Sequence, residues 1–390
     1  MNNKENIKLL LIVGAANDIF IYNYAKWIKS SISCEIDVFE VYPSVQQDFD
    51  NSYYSHVYAA KGYSLPIPKG KQIFDNIVRG INLQRFLKEK RYDIIHSHWV
   101  VSPVSLQKHL KNHCRKLILT FWGGEFDKQT ILYSNKLYRY CLNRLSRQVD
   151  CIVNNNSDRK YIISHLPFFK GTFKNGILGS SPLEELYKLI QYESKIKSKE
   201  LLNMPTDKLV VLIGYSGKSI HRQIPIIKEL HKYPQLKDKI HILAPMTRGA
   251  SNEFITLVEN ELKDLDFSYT LIAGRFLTNE EVARIRNATD IALQLSEWDA
   301  FSNSIIECLC AKAVLIYGNW LGYENHLPSS GFNGVEVQSV ENGVNKLLEV
   351  VSHMDDYKEM TNENHNNGRN QSLWSECIKD WVAAYRELLA

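Results

Sequence analysis

YDIIHSHWV, residues 92–100, is the stretch on which the reading of this chain turns. Its Ile94 and Ile95 make a strand too apolar to have one wet face, which calls for a parallel sheet covered on both sides. The alternation of a strand puts His96 and His98 on one face, at the end where the chain leaves the sheet. Ligands of open parallel sheets are met beyond the carboxyl ends of the strands, so a histidine placed there reads as a ligand contact. Two histidines two residues apart lack the third ligand that a zinc site needs, and a hydrogen bond from His98 to a ligand hydroxyl is the better reading.

Similar runs flank it. KLLLIVG (8–14), CEIDVFEVY (34–42), KLILTFWGG (116–124) and VDCIVNN (149–155) read as further strands, with an amphipathic helix over Ile19–Ser30. After a break the pattern begins again with KLVVLIG (208–214), KIHILAP (239–245), DFSYTLIAG (266–274), DIALQLS (290–296) and AVLIYG (313–318). Strands alternating with helices predict an α/β chain of two Rossmann-like domains, and 390 residues is about the length two such domains need. The break lies among Gly176, Gly179, Pro182, Pro205 and the charged KIKSKE (195–200). It predicts domains over 1–190 and 191–370, facing across a cleft. Residues 371–390 follow as a terminal amphipathic helix that packs back on the first domain. Residues 362–370 read as a polar loop.

Seven cysteines without paired spacing argue against a disulfide framework, and Cys308 and Cys310, in an apolar run, read as core. The polar start MNNKENIK and the short apolar run after it predict neither a signal peptide nor a membrane span, hence a cytoplasmic location. Residues 1–195 hold 27 Lys and Arg against 17 Asp and Glu, while the remainder is acidic. That basic half suits an anionic acceptor or peripheral contact with anionic lipid at the inner face of the plasma membrane. Nucleic acid is not expected, because the charge is spread out and no binding module accompanies it.

Three segments carry candidate chemistry. The turn after strand 116–120 holds Trp122, Gly123, Gly124, Glu125 and Asp127; Glu125 is a candidate general base, with a structural cap as the bland alternative. The loop Tyr215-Ser216-Gly217-Lys218-Ser219-Ile220-His221-Arg222 offers amides, a helix start and two cations, which is what a diphosphate requires. It lacks the spacing of a Walker A loop, and the first loop, Gly14 to Asp18, lacks G-x-G-x-x-G, so an ATPase and a dinucleotide oxidoreductase are disfavoured. Gly14 remains a candidate for close approach to a ligand. In Glu297–Glu307 two acids eight apart, Asp299 and Glu307, bracket a helix start at Ser302 and Asn303, whose free amides can receive phosphate oxygens.

Taken together, YDIIHSHW, TFWGGEF, DCIVNNNS, VVLIGYSG, DAFSNSIIE and the terminal W-x6-W-x3-Y helix resemble the group 1 family of GT-B glycosyltransferases. The resemblance implies that His98 contacts the donor sugar near its anomeric centre and that Lys218 and Arg222 grip the diphosphate. It further implies that Asp299 and Glu307 replace the family's E-x7-E pair, with Glu307 holding the ribose. Tyr215 stands where the family has arginine, and Lys312 and Val314 where it has glycine and proline. VLIGYSG, LAPMTRG and the Trp122–Glu125 turn are also similar to the transferases that add 4-acetamido-4,6-dideoxygalactose in enterobacterial common antigen. Those invert the anomeric centre and use a thymidine diphosphate donor, with Glu125 as the base such a reaction would need.

The resemblance therefore implies transfer of a sugar from a nucleoside diphosphate, UDP foremost, to a saccharide or lipid-linked acceptor of a bacterial surface polysaccharide. Retention of configuration and no metal or other cofactor are expected. A sugar-nucleotide epimerase and a non-catalytic binding subunit are the rivals.

Overall fold

The computed structural model describes residues 6–43, 51–62, 71–100, 102–122, 125–126, 134–247, 249–299 and 301–390. Gly123, Gly124, Asp127, Arg248 and Ala300, quoted above within motifs, lie outside them. Thirteen strands within these residues form two all-parallel sheets.

The first sheet contains β1 (Ile7–Val13), β2 (Cys34–Glu40), β3 (His56–Ala59), β4 (Tyr92–His98), β5 (Cys114–Thr120), β6 (Cys151–Asn154) and β7 (Thr172–Asn175), in the order β3-β2-β1-β4-β5-β6-β7. Leu11 of β1 stands opposite His96 of β4. The central strands are apolar because both faces are covered: Leu9, Leu10, Leu11, Ile12, Ile94 and Ile95 are all fully buried. On one side the helix Ile19–Ser31 turns Ile21, Tyr24, Ala25 and Ile28 inward, the i, i+4, i+7 spacing of a buried stripe.

The second sheet contains β8 (Leu209–Ile213), β9 (Ile240–Met246), β10 (Tyr269–Ala273), β11 (Ile291–Gln294), β12 (Val314–Gly318) and β13 (Val335–Val337), in the order β10-β9-β8-β11-β12-β13. Both sheets are doubly wound. The strand order reverses between β1 and β4 in the first and between β8 and β11 in the second, and those are the places where such sheets bind ligands.

The chain divides into residues 1–178 with 375–390, and residues 179–374. The division falls ahead of residue 190 because β7 is the last strand of the first sheet, while the helix Ser181–Leu189 already gives Leu183, Leu186, Tyr187 and Leu189 to the second core. The terminal helix Trp374–Leu389 belongs with the first unit from Ser375 onward. Its Trp381 is fully buried and donates Nε1–H to the Ile177 carbonyl at 2.9 Å. Its Tyr385 hydroxyl lies 2.7 Å from both the Tyr24 hydroxyl and His96 Nδ1. Residues 362–370 are not a loop: they continue the helix Lys358–Ser372. Tertiary bonds override their weak propensity, since Asn364 exchanges two hydrogen bonds with the Asn333 backbone and His365 Nδ1 donates to the Cys310 carbonyl. All seven cysteines are free, and Cys308 and Cys310 are buried.

Candidate functional site

In the first unit the ends of β1, β2, β4 and β5 enclose an open pocket of about 330 Å³ at the strand-order reversal. Gly14, Asp18 and Tyr42 line it from one side, His98, Trp99 and Trp122 from the other. His96 is behind this wall, its ring nitrogens taken by Tyr385 and by Thr120 Oγ1 at 2.8 Å, so it is a structural residue. His98 is different. It is fully buried among the rings of Tyr24 and His96, with centroids at 4.5 and 3.9 Å, and among the described residues neither of its nitrogens has a hydrogen-bond partner. Burial pushes its pKa down to about 3, so the imidazole is neutral at physiological pH and offers one donor and one acceptor.

Gly14 is required by contact: a Cβ there would stand 2.7 Å from the Trp99 ring. Trp99 is in the left-handed region at φ 56° and is held by its N–H to the Thr120 carbonyl at 3.1 Å. Both acids near the first loop are already committed to its amides. Asp18 accepts from Phe20 N at 2.9 Å and caps the helix Ile19–Ser31, and Glu40 accepts from Ala16 N at 2.6 Å. Glu125 is also committed, buried with both carboxylate oxygens accepting from Trp122 N at 2.8 and 3.0 Å. The carboxylate thus has a structural duty, holding the backbone at Trp122.

In the second unit the loops after β8 and β11, adjacent strands, are tied together. Glu297 N donates to the Ile220 carbonyl at 2.9 Å. His221, buried, bridges Ser216 Oγ at 2.8 Å and Ser296 Oγ at 2.9 Å. Ser296 donates onward to Gln294 Oε1 at 3.2 Å, so His221 carries its proton on Nδ1 and accepts from Ser216 on Nε2. Burial lowers its pKa to about 4, which keeps this relay uncharged. Gly217 is required because a Cβ would lie 2.3 Å from that of Ala250.

Lys218 is exposed at the start of the turn Ser219–His221, and Arg222, at φ 54°, is the N-cap of the helix Gln223–Leu230. Arg222 lies over the Trp320 ring at 5.4 Å, and Trp320 in turn donates Nε1–H to the Ser296 carbonyl at 2.7 Å. Among the described residues neither Lys218 nor Arg222 forms an ion pair.

The two acids of the predicted E-x7-E replacement have other duties. Asp299 accepts hydrogen bonds from the hydroxyls of Tyr215 and Tyr323 and from Ser302 N, the last at 3.0 Å. It thereby fixes the entry to the helix Asn303–Cys310, whose N-cap Ser302 makes no side-chain cap bond of its own and whose first residue, Asn303, is half-buried. Glu307, only 4% exposed, pairs with buried Arg286 at 3.1 Å and accepts from Ser180 Oγ at 2.6 Å. The expectation that Glu307 presents itself to a ribose is thus corrected: its helical phase points it into the core, where an unpaired Arg286 would be costly.

The second unit therefore gathers Ser216, Gly217, Lys218, Arg222, Asp299, Ser302 and Asn303 beyond the carboxyl ends of the central strands β8 and β11, with Glu307 beneath them, while Gly14, His98 and Glu125 belong to the first. Sequence reasoning missed Trp99, His221, Tyr215 and Tyr323 as working residues. The adjacency of Trp99 to His98 and of His221 to Arg222 was the available signal; Tyr323 had none.

Residues 22–171 match the model of Glycosyltransferase Family 4. No curated protein matches the chain. Among solved structures it is similar to sucrose-phosphate synthase from Thermosynechococcus elongatus, with a TM-score of 0.72 at 12% identity over 98% of this chain and 99% of that one. It is also similar to WaaG, a glycosyltransferase involved in lipopolysaccharide biosynthesis, with a TM-score of 0.69 at 12% identity over 97% and 99% of the two chains. HepE of Anabaena, solved with UDP and glucose, gives 0.65 at 11% identity over 98% and 100%.

Proposed function

We propose that this chain, which has the GT-B fold and whose residues 22–171 match Glycosyltransferase Family 4, moves a sugar from a nucleoside diphosphate to a saccharide or lipid-linked acceptor of a bacterial surface glycan. The observation that carries this reading is the loop Gly214–Arg222. It brings two cations that form no ion pair among the described residues to the strand-order reversal of the second sheet. Lys218 and Arg222 bind the diphosphate and stabilise the charge that gathers on it as the glycosidic bond breaks. The amides at Ser302 and Asn303, held in place by Asp299, receive further phosphate oxygens. Asp299 is a positioning residue in this scheme, and Glu307 anchors the same helix through Arg286. His98 is the sugar-binding residue of the first unit. The UDP and glucose bound by HepE of Anabaena make a uridine donor the first choice.

Retention of configuration is the outcome this reading favours, and the hydrogen bonds of Glu125 support it. An inverting transfer needs a side-chain base for the acceptor hydroxyl, and Glu125 has both oxygens on the Trp122 amide. With Glu125 engaged by the Trp122 amide, the proposed route has the departing phosphate take the acceptor proton on the face it leaves. No metal is needed if the two cations and the amides neutralise the leaving group. The N-terminal basic charge suits an acceptor presented at an anionic membrane surface; among the described residues no helix is long and apolar enough to cross a membrane.

The test is release of nucleoside diphosphate from UDP- and dTDP-hexoses and N-acetylhexosamines, with glycan and lipid-linked acceptors, followed by the anomeric configuration of the product. Turnover of a UDP-sugar with retention supports the proposal. Turnover of a dTDP-amino sugar with inversion would favour the common-antigen type instead, and isomerisation of donor alone would reveal an epimerase.

A further inference from the structure

In the second unit one chain of hydrogen bonds runs from the basic loop to the start of the helix Asn303–Cys310, and each link fixes the direction of the next. Asp299 receives three donors, the Tyr215 and Tyr323 hydroxyls and Ser302 N, and so acts as an acceptor only. Burial and the Asp299 charge push both phenols above their ordinary pKa, so each keeps the proton it donates. With its proton spent on Asp299, Tyr323 must accept its other bond, and it does so from Gln294 Nε2 at 3.1 Å. That decides which way the Gln294 amide faces. Its Oε1 is left to accept from Ser296 Oγ at 3.2 Å, and Ser296 Oγ in turn accepts from His221 Nδ1–H at 2.9 Å. His221 Nε2 is then bare and accepts from Ser216 Oγ–H at 2.8 Å.

Tyr323, Gln294, Ser296 and His221 are all buried, where a donor facing a donor or an acceptor facing an acceptor costs far more than it does in water. The chain therefore has one favoured direction, set by the carboxylate at its end. Ser296 is its node. Its Oγ holds His221, the neighbour of Arg222 in sequence, and its carbonyl accepts from Trp320 Nε1–H at 2.7 Å, the ring over which Arg222 lies at 5.4 Å. At the near end Ser216 stands two residues before Lys218, and its carbonyl accepts from Gln223 Nε2 at 2.8 Å. At the far end Asp299 holds the Ser302 amide. Two of the positions at which the sequence departs from the group 1 pattern, Tyr215 and Asp299, meet at this acidic end, so the chain of bonds is built from this protein's own replacements.

We propose that His221 and Ser296 are positioning residues. The Asp299 carboxylate imposes, through Tyr323, Gln294 and Ser296, the Nδ1–H tautomer of His221, and this holds Lys218 and Arg222 in register with the Ser302 and Asn303 amides. The proposal rests on the diphosphate reading for what these groups bind; its own content is a directed coupling between the loops after β8 and β11. One consequence falls on Ser216. Its single proton is held by His221, so its hydroxyl meets a ligand as an acceptor, and phosphate oxygens are left to the two cations and the amides.

Nitrogen NMR of the full chain with labelled histidine rings tests the coupling without any nucleotide, His221→Gln serving to identify that ring among the 12 histidines. At neutral pH the native protein should show His221 with Nδ1 protonated and Nε2 bare. Gln294→Leu removes the acceptor of Ser296 Oγ–H, which is then free to donate to His221 Nδ1, so the ring proton should move to Nε2. Tyr323→Phe deletes one oxygen and keeps the ring; it frees the Gln294 amide to turn and should mix the two tautomers. A native His221 protonated on Nε2, or a tautomer unmoved in a folded Tyr323→Phe, would overturn the proposal. Calorimetry with UDP then reads the positioning: affinity should fall about fivefold in Tyr323→Phe, the change for one net hydrogen bond. Native affinity in a variant whose tautomer has moved would overturn the positioning role. No binding of UDP to the native chain, with the tautomer responding as described, would sink the nucleotide reading and leave the coupling of the loops standing.

Discussion

The loop Gly14–Asp18 after β1 and the loop Gly214–Arg222 after β8 occupy the same place in two sheets of the same winding, yet they are opposite in charge. The first has its amides satisfied by Asp18 and Glu40 and opens on tryptophan and histidine. The second carries Lys218 and Arg222 and is held from beneath by the uncharged relay Ser216–His221–Ser296. The winding of the sheet decides where a ligand is met, and the residues at the strand ends decide what that ligand is. On the proposed reading, the second address takes a diphosphate.

The comparison can be broken most severely from below. Glu307→Ala leaves Arg286 buried without its partner and should destabilise the second unit by about 3–5 kcal/mol, read from urea unfolding. Glu307→Ala combined with Arg286→Met should recover part of that loss. Equal stability of the single variant and the native protein would mean that the helix Asn303–Cys310 is not anchored as described.

Acid tests both units alike. His98 titrates at about 3 and His221 at about 4 in the folded protein, each lowered by burial from the ordinary value of 6.5. Below pH 6.5 the unfolded chain takes up protons that the folded chain refuses, so stability is intact above that pH and falls as pH drops towards 4. Each histidine should cost about 1.4 kcal/mol per pH unit across this window. Thermal unfolding between pH 7.5 and 4.5 measures the slope, and His98→Asn should flatten it; a native protein equally stable at both ends would contradict the neutral state assigned to these rings.

The smallest effect separates the two loops most cleanly. Asp18→Ala removes a helix cap and should cost about 1 kcal/mol of stability without altering nucleotide affinity. A variant that gained nucleotide affinity would show that the first loop is a masked phosphate site, and the contrast drawn above would fail.

The fold was legible because its signal is long and redundant. The apolar runs of β1, β4, β5, β8, β9 and β12 are strands buried on both faces, and such runs are recognised by composition alone. The short edge strands β3, β7 and β13 carry little apolar sequence and escaped. The boundary was placed late because Gly176 to Pro205 looks like a linker, whereas the helix inside it spends Leu183 and Leu186 on the second core. The placing of Lys218 and Arg222 in the loop after β8 was legible from charge and position, since a basic loop after a strand needs no partner to be noticed. The duties of Glu125, Asp299 and Glu307 could not, because they depend on which backbone amide, hydroxyl or guanidinium the fold delivers to each carboxylate. Trp99 was hidden for a similar reason: a positive φ in a tryptophan is set by Gly14 and Thr120, far away in sequence.

The central claim, that the loop Gly214–Arg222 is the nucleotide site, is tested most directly by calorimetric titration of UDP into the native chain and Lys218→Ala, an exposed change that leaves the fold intact. Loss of a hydrogen bond between charged groups predicts an affinity lower by about 1.5–3 kcal/mol in the variant. Equal affinity in the two proteins, or no binding of UDP, dTDP or GDP to the native chain, would contradict it.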